Sequence, residues 1–212
     1  MQLEKGQLYH IYNQGNNHRK IFFKRDNYLF FLKKVKTYIS PYADIVAWCL
    51  MPNHFHFMVY IREVEISVES DKLTQQSDKM TPSDLITTNK KRTFNNSIAI
   101  MLRSYTRAIN KQENASGSLF KAHTKAECIN CHKGITPSFI MQDAVTKINY
   151  QNSEKQYPQV CFNYIHNNPV KAGLVRNAID WEFSSAKDYA GIRNGKLINK
   201  DVALEYIDKL SE

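Results

Sequence analysis

Residues 45–61 read IVAWCLMPNHFHFMVYI, and this stretch decides the fold. Two apolar runs, Ile45–Leu50 and Phe55–Ile61, flank the turn sequence Met51-Pro52-Asn53, which is typical of a β-hairpin. The second strand begins with a His-Phe-His sequence. Residues two apart in a strand point to the same face, so His54 and His56 are predicted to project side by side.

Segments on both sides of this hairpin have the apolar spacing of further strands and helices. They are a strand over Leu8–Asn13, a helix over Asp26–Ile39, a helix over Ser97–Gln112, a strand over Leu119–Ile129 and a helix over Pro158–Asn168 that Pro169 closes. The order strand, helix, strand, strand, helix, strand, helix is that of an α+β ferredoxin-like sandwich. This fold class implies a four-stranded antiparallel sheet with helices on one face, here with an additional C-terminal helix.

The length of 212 residues fits one domain with elaborated loops. The segment Arg62–Asn96 is polar and long for an ordinary loop, so we predict an insertion there, with one helical turn near residues 81–84. A C-terminal extension is predicted over about 176–212, and its amphipathic tail from Gly191 favours a packing helix.

The chain is basic, with 29 Lys and Arg against 20 Asp and Glu, a formal charge of +9 and a pI near 9.3. Such a balance favours a polyanionic partner, nucleic acid ahead of an anionic membrane. No apolar run approaches the roughly 18 residues of a membrane span, and the N-terminus has no apolar signal core. We therefore expect a soluble cytoplasmic protein without a membrane partner, whose four cysteines are reduced.

The sequence Cys128-Ile129-Asn130-Cys131-His132 matches the pattern for covalent haem attachment. That chemistry goes with export, so haem is not expected here. A zinc site stays open as an alternative, although one C-x-x-C pair lacks a matching second pair. Reduced, partly buried thiols are the favoured interpretation.

Two histidines on one strand face can chelate a divalent metal, and the alternative is an inert, hydrogen-bonded pair at the edge of a hairpin. Tyr164 and Asn168 are four residues apart in a predicted helix and share one face. If that face meets His54 and His56, the amide oxygen of Asn168 becomes a third ligand, and hard oxygen donors suit Mg²⁺ or Mn²⁺. The alternative is a packing tyrosine and an asparagine that ends the helix.

Together these segments resemble the single-tyrosine HUH transposases, in the branch related to the transposases associated with repetitive extragenic palindromes (REP). The matching blocks occur in the expected order over most of the chain: Asn13–Asn17, Met51–His56, Gly117–Phe120, Tyr164–Val175 and Trp181–Ser185. The insertion and the polar stretch His132–Tyr157 are longer than the compact family core needs.

The resemblance implies roles for individual residues. His54 and His56 match the metal-binding pair, Tyr164 the nucleophile, and Asn168 the third metal ligand, which is Gln in some members. It further implies a single domain over residues 1–212, an Mg²⁺ or Mn²⁺ cofactor, and cleavage of single-stranded, hairpin-containing DNA through a 5′-phosphotyrosine at the bacterial nucleoid. The oligomeric state stays open between monomer and homodimer.

Two other functions stay open: a catalytically silent DNA-binding relative, and another HUH nuclease such as a replication initiator or relaxase. Under any of these, basic clusters are candidates for contacts with DNA phosphates. The clusters are His18, Arg19 and Lys20; Lys33, Lys34 and Lys36; and Lys90, Lys91 and Arg92.

Overall fold

The computed structural model describes residues 1–68, 90–131 and 156–207, together with the backbone of two short strands between the last two ranges. The strands are β1 Leu8–Gln14, β2 Ala43–Met51, β3 His54–Ile61, β4 Glu65–Val68, β5 Lys90–Thr93, β6 Lys125–Cys128, β7 Met141–Gln142 and β8 Val145–Thr146. The helices are α1 Arg25–Tyr38, α2 Phe94–Gln112, α3 Gln156–Lys171, α4 Ala186–Tyr189 and α5 Lys200–Tyr206. The helical turn predicted near residues 81–84 lies outside the described residues.

The main sheet has four antiparallel strands in the order β2-β3-β1-β6. This is the order expected of a ferredoxin-like sandwich, so the predicted α+β class and four-stranded sheet are confirmed. The predicted hairpin is β2–β3, and Met51 pairs with His54 at its turn. On the other side of β3, Gln14 lies opposite His54. The first histidine of the pair therefore lies at the end of the sheet where β1 finishes.

Helices cover both faces of this sheet, because β3 is apolar on both sides. Phe55, Phe57 and Val59 pack with α1 and α2 in the larger core. Met58, on the opposite face, packs with α3 and α5 in a second core. The helix α3 therefore lies on the face that also presents His54 and His56.

Three element boundaries differ from the prediction. The helix α3 continues through Pro169 to Lys171, so the proline lies in the last turn, where it removes one backbone hydrogen bond. Gly173, with a φ of +67°, then ends it. The strand β6 is four residues long, since Leu119 and Phe120 contribute buried side chains but only one isolated bridge to Gly15.

The third difference concerns the predicted insertion, which contains the strands β4 and β5. The strands β4 and β5 pair antiparallel, with Glu65 opposite Thr93. The helix α2 begins directly after them at Phe94, where Thr93 caps it by accepting a hydrogen bond from the Asn96 backbone. The predicted polar insertion over 62–96 thus includes a strand pair and the first turn of α2.

The C-terminal segment Trp181–Ser185 covers the free edge of β2. The Leu50 backbone donates to the Phe183 carbonyl (2.8 Å), and the Ser185 backbone donates to the Trp48 carbonyl (2.9 Å). The Trp181 indole donates to the Leu50 carbonyl (3.0 Å). An exposed strand edge is a site for unwanted pairing, so this segment both extends the core and protects the edge.

A buried ion pair holds the turn that follows this segment. Asp188, with a side chain 2% exposed, accepts two hydrogen bonds from Arg193 at 2.6 and 2.7 Å. The same guanidinium also donates to the carbonyls of Glu182 and Ser184, and Asp188 accepts from the Gly195 backbone (3.0 Å). Every charged atom of this pair is thus engaged in the turn.

We expect Asp188→Ala to lower the free energy of unfolding by about 1–3 kcal/mol, because the partly exposed Arg193 guanidinium and the Gly195 backbone lose their hydrogen bonds to a buried carboxylate. Urea denaturation measures this change. The matched control is Glu182→Ala, which breaks an exposed ion pair with Arg25 and should leave the unfolding midpoint nearly unchanged. Equal midpoints for the two variants would contradict a stabilising role for the buried pair.

Candidate active site

The two histidines of β3 point at one side chain on α3. The His54 Nε2 lies 3.1 Å from the Asn168 Oδ1, and the His56 Nε2 lies 3.3 Å from the Asn168 Nδ2. The two imidazole rings are 5.0 Å apart between centroids and nearly perpendicular. His56 and Asn168 are buried, and His54 is partly exposed.

The helix α3 holds Tyr164 and Asn168 against this strand through its buried side chains. Cys161, Phe162 and Ile165 pack on the second core, so the face with the phenol and the amide meets β3. The Tyr164 ring lies 5.4 Å from the His56 ring in an edge-to-face arrangement. The four residues that the sequence singled out therefore lie together, although β3 and α3 are separated by more than ninety residues in the chain.

The hydrogen bond of His54 sets which ring nitrogen is free. The Asn53 Nδ2 donates a hydrogen bond to the His18 carbonyl, which identifies the other amide atom as the oxygen. The Asn53 Oδ1 therefore accepts a hydrogen bond from the His54 Nδ1 at 2.6 Å. Burial lowers the pKa of His54, which favours the neutral ring. The neutral ring then presents a lone pair at Nε2 toward the Asn168 amide oxygen, and two facing acceptors fit a cation between them.

A third histidine, His10 of β1, contacts the ring of His56 on the side away from Asn168. Its Nε2 lies 2.9 Å from the His56 Nδ1, and the two rings are stacked 5.0 Å apart. Burial lowers the pKa of His10 to about 3. The pKa of His56 is lowered well below its usual value, first by burial and then by the neighbouring imidazoles. Both rings are therefore neutral at pH 7, and a contact at the His56 Nδ1 leaves its Nε2 directed toward Asn168.

The environment of Tyr164 holds the phenol protonated in the unliganded protein. Burial raises its pKa, while a hydrogen bond with Asn168 acts in the opposite direction. The ammonium of Lys171 lies 5.4 Å from the centre of the Tyr164 ring. Nearby positive charge favours a phenolate, so Lys171 and a bound cation would both increase the nucleophilicity of Tyr164.

The side of the site next to β6 is aromatic and charged. The Tyr12 ring lies 4.8 Å from His10 and 5.8 Å from His56. Its hydroxyl donates to Glu127 at 2.7 Å, and the Lys125 ammonium lies 5.8 Å from the ring centre. His10, Lys171 and Lys125 were not among the residues that the sequence singled out.

The three predicted DNA-contact clusters lie in different places. His18, Arg19 and Lys20 follow Gly15 in a loop that lies against Asn53, next to His54. This loop requires glycine at position 15, where a Cβ atom would lie 2.1 Å from the Arg19 carbonyl oxygen. This cluster is therefore adjacent to the candidate site.

The other two clusters lie away from it. Lys33, Lys34 and Lys36 are on α1, across the sheet from α3, and Lys34 is engaged with Ser104 of α2 (2.5 Å). Lys90, Lys91 and Arg92 lie in β5, which pairs with β4. The strand β4 follows the end of β3 opposite to His54, roughly 20 Å from His54 along β3. Lys91 pairs with Glu65 at 3.3 Å.

The cysteines differ in part from the expectation of four free thiols. Cys128 and Cys131 form a disulfide, because the turn after β6 brings their Cα atoms to 5.7 Å. Cys49 and Cys161 are free and buried, as predicted. Within the described ranges no cluster of three or more His, Cys, Asp or Glu side chains is arranged for a metal.

A buried histidine beside the site predicts acid sensitivity. Burial lowers the pKa of His166 to about 3, against a smaller opposing effect of Asp188. Below about pH 6.5 the unfolded chain binds a proton here that the folded chain does not, so stability falls as the pH falls toward 3. The slope of the unfolding free energy against pH is about 1.4 kcal/mol per pH unit.

We expect His166→Gln, studied with a chelator by urea denaturation between pH 7.5 and 4.5, to reduce this slope by about 1.4 kcal/mol per pH unit at the acidic end of the range. An unchanged slope would contradict the assignment.

The sequence matches no protein-family model and no curated protein. A solved structure of the REP-associated tyrosine transposase bound to a REP hairpin is similar, with a TM-score of 0.53 and 15% sequence identity. The alignment covers 100% of this chain and 97% of that chain. At this identity the similarity shows a common fold. None of the described helices is long and apolar enough to span a membrane.

Proposed function

We propose that this protein is a DNA nicking and joining enzyme of the HUH transposase type. Tyr164 is the nucleophile, His54, His56 and Asn168 hold a divalent cation, and the substrate is single-stranded DNA with a hairpin. The observation behind this proposal is that one phenol, two neutral imidazoles and one amide lie together between β3 and α3, where His56 and Asn168 are buried and His54 and Tyr164 are partly exposed. The fold shared with a tyrosine transposase bound to a hairpin gives independent support.

The donor set suits Mg²⁺ or Mn²⁺, since it pairs two imidazole nitrogens with a hard amide oxygen. A bound cation would supply Lewis-acid charge that polarises a non-bridging oxygen of the scissile phosphate. Asn53 and His10 hold the rings of His54 and His56 with their Nε2 atoms directed inward. The residues therefore need little rearrangement to form the site.

Tyr164 would attack the phosphorus through its phenolic oxygen. The new bond joins that oxygen to the phosphorus, and the bond to the 3′ oxygen breaks. The departing strand keeps the electron pair and gains a proton to end as a 3′-hydroxyl. The DNA stays attached as a 5′-phosphotyrosine, so a second 3′-hydroxyl can reverse the step and join new ends without ATP. The Lys171 ammonium, 5.4 Å from the centre of the Tyr164 ring, would favour the phenolate before attack.

His10 gives this proposal a test that does not depend on activity. We expect His10→Leu to weaken Mn²⁺ binding about 10- to 100-fold, because the His56 ring loses the partner that orients it. His10→Gln keeps a hydrogen-bonding group in the strand and should lose less. Isothermal titration with Mn²⁺ measures both variants. Equal, wild-type affinities would contradict a positioning role for His10.

The direct test is denaturing electrophoresis of the wild type with labelled single strands that contain hairpins, drawn from the DNA that flanks the gene. We expect a heat-stable protein–DNA band that requires Mg²⁺ or Mn²⁺. Binding without such a band on any strand would favour the catalytically silent relative. Cleavage of hairpin-free strands with equal efficiency would favour a replication initiator or relaxase.

A further inference from the structure

A cleft of about 560 Å³ runs between α2 and the segment Gly117–Thr124, which leads into β6. Arg103 and Arg107 of α2 line one wall, and Lys121 and His123 line the other. All four side chains belong to exposed residues. None of them is among the basic clusters that the sequence singled out, because they are dispersed along the chain and come together only across the cleft.

The charged residues that line this cleft are all basic. Among the described residues that line it, none is Asp or Glu. Three other surface cavities each include a carboxylate, namely Glu4 and Glu65, Asp44 and Asp201, or Asp188. Within the part of the chain that the structure describes, Arg103, Arg107 and Lys121 form no ion pair. Three cations therefore face the same open space without a neutralising partner, which favours a polyanion.

The wall that holds Lys121 is rigidly attached to the sheet. The buried Asn13 donates to the Lys121 carbonyl (3.2 Å) and to the Thr124 hydroxyl (3.0 Å). The Lys121 backbone in turn donates to the Gln14 carbonyl (2.8 Å). The cleft is thus already formed in the unliganded protein, and the cost of ordering its backbone on binding is small.

The cleft lies on the α2 face of the sheet, and the segment after it leads into the edge strand β6, beyond which the candidate active site lies on the other face. Lys121, His123 and Lys125 are exposed along this segment, which spans at most about 13 Å of chain. Lys125 lies over the Tyr12 ring, which is next to His56. A flexible polyanion that leaves the cleft at Lys121 can therefore follow these side chains to the phenol of Tyr164.

We propose that this cleft binds the sugar–phosphate backbone of single-stranded DNA on one side of the cleavage point. The identity of the ligand as DNA rests on the proposed function, whereas the site itself rests on its charge and shape. Arginines and a lysine bind phosphates without reading the bases, so the cleft would accept any sequence. Recognition of a particular target would come from other parts of the protein.

The test compares two double variants, each prepared with Tyr164→Phe so that binding is measured without cleavage. Arg103→Ala with Arg107→Ala removes two charges from the cleft, and Lys33→Ala with Lys36→Ala removes two exposed charges from α1. Fluorescence anisotropy measures binding of labelled dT20 and rU20 from 50 to 200 mM salt with EDTA. We expect the cleft variant to bind dT20 at least about tenfold more weakly at 50 mM salt, with a salt slope smaller by about 1.4. The α1 variant should match its parent.

Equal losses in both variants, or none in the cleft variant, would overturn the proposal, as would absence of dT20 binding by the parent. Tighter binding of rU20 than of dT20 would overturn the assignment to DNA. The covalent band with hairpin strands separates the two proposals. If the wild type forms the band and the cleft variant binds dT20 as its parent does, the proposed function is supported and the cleft proposal is overturned. If the cleft variant binds more weakly and the wild type forms no band, the cleft is a DNA-binding site in a protein that does not cleave.

Discussion

Tyr164→Phe should abolish the covalent protein–DNA band completely while changing DNA affinity by less than about twofold. The substitution removes only the phenolic oxygen, which is the atom that forms the bond to phosphorus. The ring stays, so its contact with His56 and the packing of α3 are retained. Denaturing electrophoresis measures the band, and fluorescence anisotropy measures the affinity.

Tyr12→Phe is the matched control, since its ring lies 5.8 Å from the same histidine on the other side of the site. This variant loses the hydrogen bond to Glu127 but keeps the proposed nucleophile, so the band should persist. A band that survives in Tyr164→Phe and disappears in Tyr12→Phe would assign the nucleophile to Tyr12. A band in both would exclude both tyrosines, and Tyr157, at the start of α3, would be tested next.

His56→Ala should remove metal binding and DNA cleavage together. In the proposed site His54 and His56 would chelate the cation from one strand face, and removing His56 would leave only His54 and the Asn168 amide, which is a weak pair for a divalent ion. We expect the variant to lose the increase in melting temperature that Mn²⁺ gives the wild type, and to form no covalent band.

His166→Gln is the matched control for this second prediction, because it also removes a buried imidazole from the same face of the sheet. His166 interacts with Ser185 at 2.7 Å and does not contact Asn168 through a hydrogen bond that the structure describes. It should therefore keep the Mn²⁺ effect, whatever its cost in stability. Cleavage by His56→Ala at the wild-type rate in Mg²⁺ would show that the metal site was assigned wrongly.

Much of the candidate site could be predicted from local patterns. The alternation of β3 places His54 and His56 on one face in any fold that keeps the strand, because successive side chains of a strand point in opposite directions. The spacing of Tyr164 and Asn168 places them on one face of α3 for the corresponding helical reason. That the two faces meet was an expectation from the resemblance, and the structure places them together. Their catalytic and metal-binding roles stay predictions.

His10 could not be assigned in this way. A histidine in a buried strand has no local signal that separates a supporting role from ordinary packing. Its meaning depends on the register of β1 against β3, which places Tyr12 opposite His56 and His10 one step farther along the same face. Register between distant strands follows from the packing of the whole sheet, and one residue of slip would turn His10 to the opposite face.

The sequence by itself determined the hairpin, the helices α1 and α2, the shared face of His54 with His56 and the shared face of Tyr164 with Asn168, because each depends on periodicities within one segment. The order of these elements along the chain predicted the α+β class. Only the tertiary structure decided that α3 covers the face opposite α1 and α2, that Cys128 bonds Cys131, and that four dispersed basic side chains line one cleft. Those features depend on contacts between segments far apart in the chain. Such contacts are selected by the combined burial of apolar surface, and no single segment contains that information.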